Sequence, residues 1–375
     1  MIATGAGALA LAVWLYLLIG HAGFWRTRER DTYDLPPPPV FWPDVVAIVP
    51  ARDEAGVIAR AIGSLVAQEY PGRLRIVLVD DSSSDGTAEI VRALASDRVS
   101  ILAGSTLPAG WTGKLWAVSQ GIAAAGTPRY LWLTDADIAH APDTLRLLVA
   151  RAEAGGLTLV SLMAKLRCSS LAERALVPAF VWFFQMLYPF ARVNALRGAG
   201  AAAGGCMLVR RDALAHAGGI AAIRGKLIDD CAFGALMKTQ GRIWLGLTER
   251  SHSIRAYPRM GDIAAMIARS AYAQLGYSPL KLAGTIAGLA LVYIAPPVLA
   301  FFGTGAARIM AAAAWAIMAS SFQPMLRFYR RSPLWGASLP AIAAFYAGCT
   351  LLSAWQHRQG RGGMWKGRAQ AVVRR

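Results

Sequence analysis

Four stretches of this chain contain no Asp, Glu, Lys, Arg or His: residues 1–20, 282–307, 309–326 and 332–356. A helix needs about 20 apolar residues to cross a hydrocarbon core of about 30 Å, so each stretch has roughly the length of a membrane span. Hydrophobic residues make up 55% of the 375, charged residues only 16%, and mean hydropathy is +0.40. Soluble domains hold about 25% charged residues. This balance excludes disorder, a collagen or coiled-coil rod, and an ordinary soluble enzyme. It predicts a membrane protein.

The charges set an orientation. Arg26, Arg28 and Arg30 follow the first stretch rather than precede it, which fits an anchor and not a cleaved secretory signal. Positive-inside logic then puts the following chain in the cytoplasm. Arg327, Arg330 and Arg331 separate the last two stretches, and the tail from His357 to Arg375 has six Lys/Arg and no acid. Three full crossings after a cytoplasmic domain would leave that tail outside. The charge pattern therefore expects one of the three, two of them interrupted by Pro296-Pro297 and Pro340, not to cross. The net charge of +17 flanks these spans, where it holds anionic headgroups, and nucleic acid is not expected as a partner. Cys168, Cys206, Cys231 and Cys349 lie far apart, with neither disulfide nor zinc spacing.

Between the spans the pattern is α/β. A Pro-rich linker (24–44) leads to apolar β-type runs at 45–49, 76–79, 99–102 and 130–134, with helical periodicity over 54–68 and about 87–95. Strands so spaced predict a parallel sheet covered on both faces, with ligands beyond the carboxyl ends of the strands. Acids follow those ends at Asp53-Glu54, Asp80-Asp81 and Asp135/Asp137. Carboxylates two apart at a strand end repel unless a cation lies between them, and such oxygen pairs suit Mg²⁺ or Mn²⁺ completed by phosphate. The alternative for each pair is a turn or helix cap. Residues 175–190, charge-free and aromatic, read as a helix in the membrane interface or as a core helix. The expected organisation is a span (1–23), the linker (24–44), an α/β domain (45–278), a membrane block of two to three helices (279–356) and a basic tail (357–375).

Six segments, VVAIVPARDEA (45–55), IVLVDDSSSDGT (76–87), GKLWAVSQG (113–121), LWLTDADI (131–138), GGCMLVRRDAL (204–214) and LIDDCAFG (227–234), stand in one order along the chain. In them the sequence resembles the family 2 glycosyltransferases of GT-A fold, and within these the hopene-associated enzymes of hopanoid biosynthesis. It is also similar to ceramide glucosyltransferases. The resemblance implies a nucleotide-sugar pocket lined by Pro50, Arg52 and Glu54, with Asp80 and Asp81 at the base and Lys114 near the phosphates. It implies Asp135 and Asp137 as holders of Mg²⁺ or Mn²⁺ with the diphosphate, and Asp230 as general base beside Asp229. A phosphate loop at Lys114 is excluded, because Pro108 replaces the first glycine and Leu115 follows the lysine. The QxxRW motif of processive and ceramide-type relatives is missing; Arg269 of Met266-Ile-Ala-Arg269-Ser270 is the nearest match, either a diphosphate contact or one side of an amphipathic helix.

The expected activity is inverting transfer of a sugar from a nucleotide sugar, a UDP-sugar by the resemblance, to a hopanoid-like lipid at a bacterial inner membrane. Transfer to a polyprenyl phosphate, or a non-catalytic nucleotide-binding membrane protein, are the alternatives.

Overall fold

The computed structural model describes residues 1–365 and 368–369, so Lys366, Gly367 and 370–375 of the expected basic tail lie outside the described residues. Eight strands form one sheet: β1 (Val45–Ala51), β2 (Leu74–Asp80), β3 (Val99–Ala103), β4 (Tyr130–Thr134), β5 (Ile138–His140), β6 (Leu159–Lys165), β7 (Cys206–Arg210) and β8 (Ile243–Ser253). Their order is β3-β2-β1-β4-β7-β6-β8-β5. β3, β2, β1 and β4 run parallel, as the apolar runs predicted. The other half corrects that reading, because β7 is antiparallel to both β4 and β6, and β5 is antiparallel to β8. Buried apolar runs show burial on both faces but carry no sign of direction.

All seven residues of β1 are buried. Alternate side chains enter two cores, as a period of two requires. Val45, Ala47 and Val49 meet Ile62, Leu65 and Ile76 on one face. On the other face Val46 and Ile48 join a cluster that continues into Trp14, Trp182 and Phe322. The domain and the apolar helices thus share one core.

The helix expected over 54–68 is shorter, Ile58–Val66, because the backbone of 53–55 bonds elsewhere. Asp53 N–H donates to Ser83 Oγ (3.0 Å), Glu54 N–H to Thr87 Oγ1 (2.9 Å) and Ala55 N–H to Asp85 Oδ2 (2.9 Å). The 24–44 segment is no free linker. Arg30 bridges to Leu247, and Thr248 Oγ1 donates to buried Asp31 at 2.5 Å.

The aromatic 175–190 segment lies mostly within a helix, Leu171–Leu187, that starts with a Ser170–Glu173 capping box. Trp182 is fully buried and donates to Ser321 O at 3.2 Å. The helix packs between the sheet and the apolar helices. Four segments are long and apolar enough to cross a membrane: Ile2–Gly20, Pro279–Phe302, Gly305–Phe328 and Pro333–Arg358.

Candidate active site

Three loops and two helix ends meet at the carboxyl ends of β1, β2 and β4. The loops after β1 and β2 are stitched by the bonds just described, with Ser84 N–H closing onto Asp53 Oδ1 at 2.8 Å. Asp53 and Ser82 both hold left-handed backbone, φ +50° and +57°. Non-glycine residues adopt this conformation only where surroundings over-determine it. Arg52 Nη1 donates to Asp81 O at 2.5 Å and lies 3.6 Å from Asp81 Oδ2, so Asp81 is buried against a guanidinium. Asp80, at the end of β2, receives Ser83 N–H at 3.3 Å.

Lys114 stands in the first turn of helix Gly113–Ala124, which Thr112 caps. A cation there opposes the helix dipole, and two carboxylates offset this. Lys114 Nζ lies 2.9 Å from Asp135 Oδ1 and 3.0 Å from Asp229 Oδ2. Burial works against the ammonium, but Asp135 and Asp229 outweigh it and keep Lys114 protonated. Asp229 and Asp230 occupy the first turn of helix Asp229–Lys238, the end that favours acids. Burial, then the Asp229 charge, push Asp230 up to about 6. Its carboxylate accepts from Cys231 N–H (2.7 Å) and Gly204 N–H (3.3 Å). A Cβ at Gly204 would lie at contact distance, 3.4 Å, from both Asp230 Cβ and Lys114 Nζ, which places β7's approach loop against the cluster.

Pro50, Lys114, Asp135, Gly204, Asp229 and Phe233 line one open cleft. The structure thus gathers Pro50, Lys114, Asp135, Asp229 and Asp230, with Asp137 joined through another residue. Arg255, just past β8, donates from Nε to Asp137 Oδ2 at 2.6 Å and from Nη2 to Glu54 Oε1 at 2.5 Å. Glu54 is therefore not the helix cap considered from sequence, and Arg255 is a site residue that sequence reasoning missed. Its signal was a strand, β8, that apolar patterning had not assigned. Tyr188 was missed as well: it neighbours Cys231 and accepts from Gln274 Nε2 at 2.6 Å, on the side facing the apolar helices. Arg269 caps helix Met260–Ala268 and is exposed; among the described residues it has no ion pair with the acidic cluster.

The donor set fits a divalent cation. Asp135 and Asp137 repel one another, and burial followed by Asp137 raises the Asp135 pKa against the pull of Lys114. Among the described residues no three His, Cys, Asp or Glu side chains form a closed cage. Mg²⁺ or Mn²⁺ commonly takes one or two carboxylates with phosphate completing the shell, and here Lys114 and Arg255 each hold one oxygen of Asp135 and Asp137.

Residues 46–218 match the family model described as Glycosyl transferase family 2. The succinoglycan biosynthesis protein ExoO of Rhizobium meliloti (strain 1021) is 38% identical over 146 residues, 36% of this chain and 40% of that protein. The beta-monoglucosyldiacylglycerol synthase of Trichormus variabilis is 30% identical over 185 residues, 47% of this chain and 38% of that one. The chain thus spans about two fifths of the length of the curated relatives it matches. Mannosyltransferase PcManGT from Pyrobaculum calidifontis, solved with GDP-Man and Mn²⁺, superposes with TM-score 0.52 at 21% identity, over 92% of this chain and 99% of that one. The fold is GT-A, with apolar helices at both ends, and residues 46–218 are similar to the family 2 glycosyltransferases.

Proposed function

We infer that the protein is a membrane-bound inverting glycosyltransferase that moves one sugar from a nucleotide-sugar donor to a lipid hydroxyl. The observation that carries this reading is Asp230. It is a half-buried carboxylate, raised to about 6, beside a cleft lined by Lys114, Asp135 and Asp229. A base poised near neutrality can accept the acceptor's proton as the glycosidic bond forms. Asp135 and Asp137 would hold Mg²⁺ or Mn²⁺, which supplies Lewis-acid neutralisation of the departing diphosphate. Lys114 and Arg255 add fixed positive charge on the same side, and Pro50, Arg52, Glu54, Asp80 and Asp81 wall the space for the nucleoside.

The lipid acceptor is supported by the core that joins the domain to its apolar helices and by the glucosyldiacylglycerol synthase relative. Within that class the sequence resemblance favours a hopanoid and this relative favours a glycerolipid. UDP-sugars and GDP-sugars are the donors to compare. The four apolar segments support residence in a bilayer, which we assign to the bacterial inner membrane with the domain cytoplasmic.

The test is transfer from radiolabelled UDP- and GDP-sugars into a panel of hopanoid, diacylglycerol and polyprenyl-phosphate acceptors, using purified wild type and Asp230→Asn. Product on a hydroxyl lipid, lost in the variant while donor binding persists, supports the reading. Product on polyprenyl phosphate alone replaces the acceptor class. Equal transfer by both proteins would remove Asp230 as the base, and donor binding with no transfer by wild type would mean a non-catalytic binding protein.

A further inference from the structure

We propose that Pro333–Arg358 does not cross the bilayer but is a re-entrant segment, dipping into the leaflet on the catalytic side and returning to the same face. Length and composition alone would make it a fourth span. The contacts of its two ends place both beside the catalytic domain.

The preceding helix, Gly305–Phe328, ends at the domain. Phe328 lies under Lys165 Nζ (4.5 Å) and the Arg30 guanidinium (4.9 Å), Tyr329 Oη accepts from Leu166 N–H at 3.3 Å, and Arg330 is 4.0 Å from Glu249. The chain then turns back along that helix. Gln323 Nε2 donates to Pro333 O at 3.1 Å and Trp315 Nε1 to Ala337 O at 3.2 Å. Trp315 is 13 residues before Phe328, about 20 Å at 1.5 Å per residue. The segment Pro333–Ser338 therefore descends well into the hydrocarbon.

From there helix Leu339–Arg358 comes back. Tyr346 Oη donates to Leu176 O at 3.1 Å, in the layer under the sheet. Ser353 Oγ receives Tyr272 N–H at 3.0 Å, and His357 stacks on Tyr277 at 4.3 Å and 18°. Tyr272 belongs to the helix Ala271–Gln274 whose Gln274 bonds Tyr188, beside the residue that follows Asp230. Both flanks of the segment thus touch the catalytic domain.

The break in regular helix is built for an apolar setting. Irregular backbone at membrane depth is tolerated only where its polar groups are satisfied by protein. Here Gln323 and Trp315 cap two carbonyls, and Ser338 Oγ donates to Trp335 O at 2.9 Å. A Cβ on Gly336 would meet Ala319 O at 2.8 Å, so the glycine allows this turn to lie against the span. Leu334, Leu351 and Trp355 are exposed and are the side chains offered to the lipids of that single leaflet. The arrangement leaves three crossings. Ile2–Gly20 and Gly305–Phe328 start together on the far side, where Gly7 abuts Ala307. Arg327, Arg330, Arg331 and Arg358 then share the catalytic side with Arg26, Arg28 and Arg30, as positive-inside charge requires.

The test is labelling of single introduced cysteines with a membrane-impermeant maleimide in sealed vesicles of each orientation. Buried Cys206, Cys231 and Cys349 and half-buried Cys168 make wild type the blank. Asp97→Cys marks the catalytic side and Thr304→Cys the far side; both positions are exposed. We expect Ser332→Cys and Gln359→Cys to label in the same vesicles as Asp97→Cys, and to lose that label in the vesicles where Thr304→Cys reacts. Labelling of Ser332→Cys and Gln359→Cys from opposite faces would overturn the proposal. Equal labelling in detergent shows that each introduced thiol is reactive, a single symmetric size-exclusion peak shows that each variant is folded, and Arg361→Cys replaces Gln359→Cys if that variant fails either control. The outcome does not depend on any transferase activity.

Discussion

The guanidinium of Arg255 donates from Nε to Asp137 Oδ2 at 2.6 Å, joining the last strand to the acidic strand end 118 residues earlier. The same guanidinium clasps Glu54 through both carboxylate oxygens, at 2.5 and 2.6 Å. One cation thus fixes the loops after β1 and β4 relative to each other.

Removing that cation should cost stability before it costs chemistry. Breaking a buried ion pair on one side costs about 3–5 kcal/mol, and exposure reduces the figure. With the Arg255 side chain 31% exposed and Glu54 9%, Arg255→Met should lower unfolding free energy by about 2 kcal/mol. Glu54→Gln with Arg255→Met should recover most of it. Urea midpoints in detergent give the comparison, and a double variant no better than the single would refute the pairing.

Asp230 sets the acid limb of the rate. Burial and Asp229 raise its pKa to about 6, and only the carboxylate can accept a proton. The value of kcat/KM should therefore level off above about pH 7, be half-maximal near 6 and approach a tenfold fall per unit below about 5. Asp230→Asn should lose about 10³-fold in kcat, the range of general-base catalysis, with donor affinity retained by equilibrium binding.

Lys114 tunes that base. Its charge favours ionised Asp230, so Lys114→Met should move the acid limb upward in pH as well as weaken donor binding. A limb that stays put, or moves down, would separate Lys114 from Asp230 electrostatically.

Buried His140 predicts how stability responds to acid. Its ring lies 2.9 Å from both Thr134 Oγ1 and Ser251 Oγ, and burial, then His252, lowers its pKa to about 3. The unfolded chain takes up a proton below about 6.5 and the native ring does not, so stability falls as pH drops from 6.5 toward 3. Between pH 7 and 5 wild type should lose about 2 kcal/mol more than His140→Asn. Parallel curves would contradict this.

Part of the site was legible because strand ends followed by acids mark where an α/β sheet binds ligands. Asp135 follows such an end, and Pro50, Lys114, Asp229 and Asp230, which only the family resemblance implied, lie near it in the structure. Arg255 was not legible, since β8 mixes polar and apolar residues and its direction depends on pairing with β6 across 84 residues or more. Arg269, the nearest match to the missing motif, stands at the C-terminal cap of its helix and is exposed. In the membrane block, apolar length marked the segments, and only the contacts of Trp315, Gln323 and His357 distinguish a span from a segment that turns back.

The most direct test of the central claim is nucleotide diphosphate release by detergent-purified protein from a panel of nucleotide sugars and bacterial lipid extract. It is run with and without Mn²⁺ or Mg²⁺, on wild type and Asp137→Ala. The account predicts release that requires both lipid and metal and vanishes in the variant. Release that ignores metal and the substitution alike would contradict it.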